Sequence, residues 1–313
     1  MSGLDVAAIK AQFPLLQREL RGAPIVYLDS ANSSQKPQVV IDAMSRFMEH
    51  SYAPINRSAY QLAAEATDAY EDAREKARRF VNARRAHEVI FTKNATEALN
   101  VVAATWGRAN LHQGDVVVLT EMEHHANIVP WHMLAAEKGI VLRWVPLTAD
   151  GQLDMSTLPA LLDGAKVFSF TAMSNVLGTI TPVQQLCRMA HDAGALAIVD
   201  GCQYVPHNVT DVQAWDADFI AFSSHKLCGP SGIGVLYGRK ALLENIPPFL
   251  FGGNMISEVH REESHWAKLP AKFEAGTPAI TQAIALGTAI DYVTDLGFDV
   301  IEEQEYILCQ HAM

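Results

Sequence analysis

Short apolar runs alternate with longer stretches of helical period along most of the chain. Residues 89–92, 116–120, 141–145, 166–171, 196–199, 219–222 and 235–237 read as buried strands, apolar on both faces and bounded by polar turns. Residues 25–28 (Ile-Val-Tyr-Leu) read as a further strand. Between these runs lie helical patterns. A short one over 5–13 stops at Pro14, and one opened by Pro37, where the missing N–H costs nothing, extends to about residue 50. A long Ala- and Glu-rich one covers 58–82, and others cover 99–106, a stretch ending near 138, a short segment before 162, 184–194, 279–295 and 298–313. Strands alternating with helices predict an α/β fold with a mostly parallel sheet covered on both faces. Asn32, Thr96, His124, Asn175, Asp200, Gln203, Ser223, His225 and Lys226 all fall just after strands. They would converge on one edge of such a sheet, where open α/β sheets bind ligands.

Composition narrows the options. With 313 residues, 49% of them hydrophobic, the chain can fill a sizeable core. A net charge of −11 argues against a nucleic-acid surface, which needs clustered Lys and Arg. No run approaches the ~18 apolar residues of a membrane span, and Met1–Asp5 lacks the look of a signal peptide. Cys187, Cys202, Cys228 and Cys309 show no CxxC spacing, so reduced thiols in a cytoplasm are expected. Cys187 and Cys309 sit in helical patterns and read as core residues. His124 and His125 are adjacent, would point apart in extended chain, and make a poor metal pair. No metal is expected.

The stretch 223–230 (Ser-Ser-His-Lys-Leu-Cys-Gly-Pro) holds a lysine at a strand end in mostly apolar surroundings. Desolvation lowers a lysine's pKa, and a neutral amine forms a Schiff base with an aldehyde. An ordinary exposed lysine is the bland alternative. Asp200 ends a buried strand, where a carboxylate needs a partner or serves as a turn residue. The segment 93–98 (Lys-Asn-Ala-Thr-Glu-Ala) joins a strand to a helix N-terminus, an anion site as well as a plain cap. An imine-forming lysine, a carboxylate for a ring nitrogen, a flat residue to stack and a helix N-terminus for phosphate together describe a pyridoxal-phosphate site.

The text at these positions is similar to a known family. The matching segments are 27–31, 35–37, 95–97, 123–131 (Glu-His-His-Ala-Asn-Ile-Val-Pro-Trp), 174–178, 199–201, 223–226, 229–234 and 273–278 (Phe-Glu-Ala-Gly-Thr-Pro). They resemble the class V aminotransferase-fold enzymes, in particular the group II, Suf-type cysteine desulfurases and selenocysteine lyases. The resemblance implies a fold-type I pyridoxal-phosphate (PLP) transferase large domain with a seven-stranded type of sheet over residues 26–295. It implies an N-terminal segment over 1–25 and the start of a truncated C-terminal small domain over 296–313.

It also implies roles. Lys226 would hold the cofactor as an imine and move the Cα proton. Asp200 would pair with the pyridinium and His124 would stack on the ring. Gln203 would bond the phenolic oxygen, and Ala95, Thr96, Ser223 and His225 would hold the phosphate. Asn175 would lie near the ring and the substrate carboxylate. Thr277 would reach the cofactor of a partner subunit in a homodimer. The implied reaction takes sulfur from L-cysteine, or selenium from L-selenocysteine, leaving alanine. A Suf-type acceptor protein and iron–sulfur cluster assembly follow from the same resemblance. The family's persulfide cysteine and carboxylate-clamping arginine have no counterpart here, and apolar patches are expected where the small domain would pack. Two departures touch substrate identity: 56–60 (Asn-Arg-Ser-Ala-Tyr), and Ala279 where the family usually has asparagine. Other class V chemistry, or a PLP-binding remnant without turnover, are the competing readings.

Overall fold

The computed structural model describes residues 4–56 and 59–312. Its centre is one seven-stranded sheet: β1 (Val89–Thr92), β2 (Val116–Thr120), β3 (Val141–Val145), β4 (Ala165–Thr171), β5 (Leu196–Asp200), β6 (Phe219–Ser223) and β7 (Gly234–Gly238). The order across the sheet is β1-β7-β6-β5-β4-β2-β3, parallel throughout except for β7, which runs against both neighbours. The expected α/β class and mostly parallel sheet are therefore found.

The strands are apolar on both faces because both faces are covered. Phe168, Phe170 and Val199 point into a core shared with α1 (Gln38–His50), α2 (Gln61–Phe80), α5 (Val183–Asp192) and α6 (Ile280–Leu296). Val167, Ile198 and Ala221 point the other way, against α3 (Ala95–Val102) and α4 (Val129–Lys138), with Trp131 and Leu134 between. Successive strand residues thus serve opposite cores, as the two-residue period requires. Small residues let α6 lie close to α2: a Cβ on Gly287 would already sit 3.2 Å from Ala73.

The antiparallel β7 brings its first residue, Gly234, beside the turn before α3. A side-chain carbon there would lie 2.6 Å from the Asn94 Cα and 2.9 Å from the Phe222 carbonyl oxygen. Only glycine lets these backbones meet, and this packing fixes the α3 N-terminus against the sheet edge.

Three expectations need correcting. Residues 25–28 form no strand: the short hairpin Glu19–Leu20/Ala23–Pro24 precedes them, no strand among the described residues pairs with them, and Val26 and Leu28 are 78% and 92% exposed. Cys309 is not a core residue, because α7 (Phe298–Ala312) buries no residue and leaves it exposed. Past residue 237, where no strand is expected, the chain forms a two-stranded hairpin, Ile256–Val259 with Ser264–Trp266. The long helix expected over 58–82 starts at Gln61, and Arg57 and Ser58 of the 56–60 departure lie outside the described residues. No helix is long and apolar enough to cross a membrane among the described residues.

Candidate active site at the strand C-termini

Pairing in the sheet sets three side chains in a row. Thr171 of β4 lies opposite Asp200 of β5, Asp200 opposite Ala221 of β6, and Ser223, two residues on, opposite Gly234. Thr171, Asp200 and Ser223 are each the last residue of their strand, so all three reach one edge. After Ser223 the chain makes a single tight turn, Ser224–Lys226, which lifts the lysine over that edge. Opposite it, α3 begins: Asn94 caps the helix by accepting from the Glu97 amide at 2.9 Å, and the Ala95 amide donates to Ser223 Oγ at 2.9 Å. The Thr96 amide is left without a partner among the described residues, which is the orphan donor a helix N-terminus offers an anion.

These residues enclose a cavity of about 230 Å³. Asn32, Ala95, Thr96, His124, Asn175, Asp200, Gln203, Ser223, His225 and Lys226 all line it, with Thr171, Met173 and Cys202. Thr277 does not; it lies in a separate hollow with Tyr70, Phe91 and Glu274.

Asp200 is buried, accepts from the Cys202 amide at 2.9 Å, and has no ion-pair partner among the described residues. A buried carboxylate in that state favours a cationic group placed beside it. His124 leaves its ring exposed to the cavity, while Nδ1 accepts from the Ala126 amide at 3.1 Å, so the neutral ring carries its proton on Nε2. Gln203 donates to the Ala31 carbonyl at 2.8 Å, which ties it to the loop carrying Asn32. Lys226 is half-buried on a largely polar wall rather than in an apolar pocket, because hydroxyls, amides and imidazoles supply the lining.

Contacts that the sequence did not single out hold this arrangement. The His225 carbonyl accepts from the Ser34 amide at 3.0 Å, from Ser34 Oγ at 3.0 Å and from Lys36 Nζ at 3.2 Å. Ser34 Oγ also accepts from the Cys228 amide at 2.8 Å, so the 33–36 loop clamps both sides of the lysine turn. Burial, then the Lys226 and Lys36 charges, push the His225 imidazole below its ordinary range. Burial likewise lowers the Lys36 amine. Behind His124, Glu123 is fully enclosed and accepts from Thr120 Oγ1 at 2.5 Å, Asn127 Nδ2 at 2.7 Å and the Thr171 amide at 2.9 Å. Burial outweighs these three donors and pushes its carboxyl up to about 8. The only sequence signal for Glu123 is its place at a strand end, four residues before Asn127 on the same turn.

Residues 26–313 match the aminotransferase class V family, and the chain belongs to that family of PLP-dependent enzymes. Within it, the chain is a member of the cysteine desulfurase group. It is 50% identical over 310 residues to a cysteine desulfurase of Salmonella choleraesuis, covering 98% of this chain and 76% of that protein. The apo structure of a cysteine desulfurase from Thermococcus onnurineus NA1 superposes with a TM-score of 0.94 at 34% identity, over 99% of this chain and 76% of that one. The S-sulfonic acid form of the Escherichia coli cysteine desulfurase CsdA gives 0.87 at 39% identity, over 96% and 73%. The cavity fits PLP by its donor set: an amine, a buried carboxylate without a cation, an open imidazole face, and hydroxyl and amide donors at a helix N-terminus.

Proposed function

We propose that this chain binds PLP in the Lys226 cavity and uses it to take sulfur from L-cysteine, or selenium from L-selenocysteine, leaving alanine. The observation that carries this reading is the meeting, in one cavity, of Lys226, Asp200, His124 and the α3 N-terminus. When bound, PLP supplies an electron sink for negative charge at the substrate Cα.

The protein's part is binding, orientation and proton movement. Lys226 Nζ holds the aldehyde carbon and, when released, is the amine able to carry a proton at Cα. Asp200 keeps the ring nitrogen protonated, an ion pair that answers its buried charge. His124 covers one ring face, and Gln203 offers its remaining N–H to the phenolic oxygen. Ala95 and Thr96, with Ser223 and His225, hold the phosphate, a dianion favoured by the helix N-terminus. Asn175, exposed at the cavity mouth, faces the incoming amino acid's carboxylate.

The four cysteines of this chain are unsuited to accept the sulfur. Burial, and next the Asp200 charge, raise the Cys202 thiol well above its ordinary value. Burial raises Cys187 to about 12 and also raises Cys228. Cys309 is exposed on α7, which does not line the cavity. A thiolate is the nucleophile, and raised thiols supply little of it. We therefore assign sulfur acceptance to a thiol outside residues 1–313, followed by a Suf-type acceptor protein serving iron–sulfur assembly in the cytoplasm. We assign residues 26–295 to the cofactor-binding unit, 1–25 to a segment before it and 296–313 to the start of a second unit. The exposed Val26, Leu28 and Phe251, and a Thr277 that misses its own cavity, support a homodimer in which Thr277 serves the other subunit.

The test is product analysis with PLP-loaded protein, L-cysteine and a small thiol as acceptor. Alanine and sulfide in equal amounts support the reading; a keto acid, or pyruvate and ammonia, would assign the chain to other class V chemistry.

A further inference from the structure

The hairpin Ile256–Val259/Ser264–Trp266 stands apart from the cavity and carries a cluster with no part in the chemistry above. Its register pairs Glu258 with His265 and Val259 with Ser264, and the His260 amide closes the turn onto the Glu263 carbonyl at 2.8 Å. Cross-strand partners share a face, and so do residues two apart on one strand. Glu258, His260, Glu263 and His265 therefore form a two-by-two array on one face of the ribbon. Among the described residues, Glu258, His260 and His265 have metal-ligating atoms all within 4.8 Å of one another. His260 Nε2 lies 3.3 Å from a Glu258 oxygen, and the two imidazole centroids are 5.9 Å apart. Glu263 Oε1 lies 3.6 Å from His265 Nε2.

These spacings match a small tetrahedral cation. Nitrogen and oxygen ligands at about 2.0–2.1 Å from zinc are roughly 3.3 Å from each other. The Glu258–His260 pair already has that separation, and the exposed His265 and Glu263 need only side-chain rotation to join it. Two imidazoles with one or two carboxylates suit zinc better than calcium or magnesium, which take all-oxygen shells. All three clustered side chains are more than half exposed, so a hydrated ion reaches them without opening the fold.

We propose that the hairpin is a zinc-class cation site, with His260, His265 and Glu258 as ligands and Glu263 or water in the fourth position. Occupancy would join the two arms of the ribbon across its turn. A plain set of surface imidazole–carboxylate pairs is the alternative.

Equilibrium dialysis against Zn²⁺ decides between them. The protein is the tag-free, PLP-loaded chain in a Cys309→Ser background, so that neither a histidine tag nor the exposed thiol contributes. One tightly held zinc per chain is expected. His265→Asn should weaken it at least tenfold, since loss of an outer-shell partner alone costs 10–100-fold. His260→Ala/His265→Ala should abolish it, with far-UV circular dichroism and PLP content unchanged. Co²⁺ in place of zinc should give the intense visible bands of a four-coordinate ion, absent from the double variant. If wild type and double variant bind the same amount of zinc, or wild type binds none, the proposal fails. If the double variant misfolds, His265→Asn alone decides by the same criterion.

Discussion

Glu274 opens the 274–278 loop that carries Thr277, and replacing it with alanine tests how that loop is held. Its carboxylate accepts from Arg74 Nη1 at 2.6 Å and Arg74 Nη2 at 2.9 Å, from Tyr70 Oη at 3.1 Å and from the Phe91 amide at 2.8 Å. Both partners are buried, Arg74 to 1% side-chain exposure and Glu274 to 6%. Glu274→Ala would leave the Arg74 guanidinium facing only Glu71, which is 46% exposed, and the Val89 carbonyl. Breaking one side of a buried pair costs about 3–5 kcal/mol. The orphaned Phe91 N–H and Tyr70 O–H each have a desolvation penalty of about 1–3 kcal/mol, partly relieved by water entering the space. A net loss of about 4 kcal/mol is expected, a large share of a typical 5–15 kcal/mol. At roughly 2 °C per kcal/mol for a chain of this size, the midpoint should fall by about 8 °C. Urea unfolding with a fixed slope, checked by calorimetry, measures it. Arg74→Met/Glu274→Leu should be less destabilised than Glu274→Ala, because it leaves no unpaired charge. A Glu274→Ala loss below about 1 kcal/mol, or a double variant worse than the single, would show that this buried pair does not hold the loop.

Glu123 predicts a pH effect. An acid whose folded pKa is raised binds more protons folded than unfolded between about 4.5 and 8, so stability should fall as pH rises through that window. Glu123→Gln should remove that slope, seen by comparing urea midpoints at pH 5 and pH 8.5; parallel curves would contradict it. Gly234→Ala should displace the Asn94 turn and weaken PLP binding at least tenfold by absorbance titration, whereas Gly232→Ala, whose added carbon meets nothing within 4 Å, should leave PLP affinity unchanged despite strain at its positive φ. Asp200→Asn removes the charge that protonates the ring and should reduce turnover by 10²-fold or more while retaining bound cofactor; near-normal turnover would remove Asp200 from its assigned role.

The sheet was legible because its strands are buried on both sides and therefore continuously apolar. The same rule misread residues 25–28, whose apolar run has no partner strand among the described residues and leaves Val26 and Leu28 exposed. It also missed the hairpin at 256–266, because Glu258, His260 and His265 face solvent and leave no apolar signature. Chemistry at strand ends was readable from residue type alone: Lys226, Asp200, His124 and Thr96 each follow a strand, and the sheet brings them to one cavity. Their supports were not readable. Glu123 works through burial, and Ser34 and Lys36 through contact with a carbonyl some 190 residues away, which no local pattern encodes. Cys309 showed the opposite failure: its helix rests Phe298 and Ile301 on the core but turns the cysteine to solvent.

Lys226 is assigned as the amine that holds the cofactor. Lys36 is a built-in competitor: burial lowers its pKa and its amine touches the carbonyl next to Lys226. Borohydride reduction of the PLP-loaded protein, followed by proteolysis and mass spectrometry, distinguishes the two. One phosphopyridoxyl group per chain is expected, on the peptide containing Lys226, and none in Lys226→Ala. Label on Lys36, or spread over surface lysines, would contradict it.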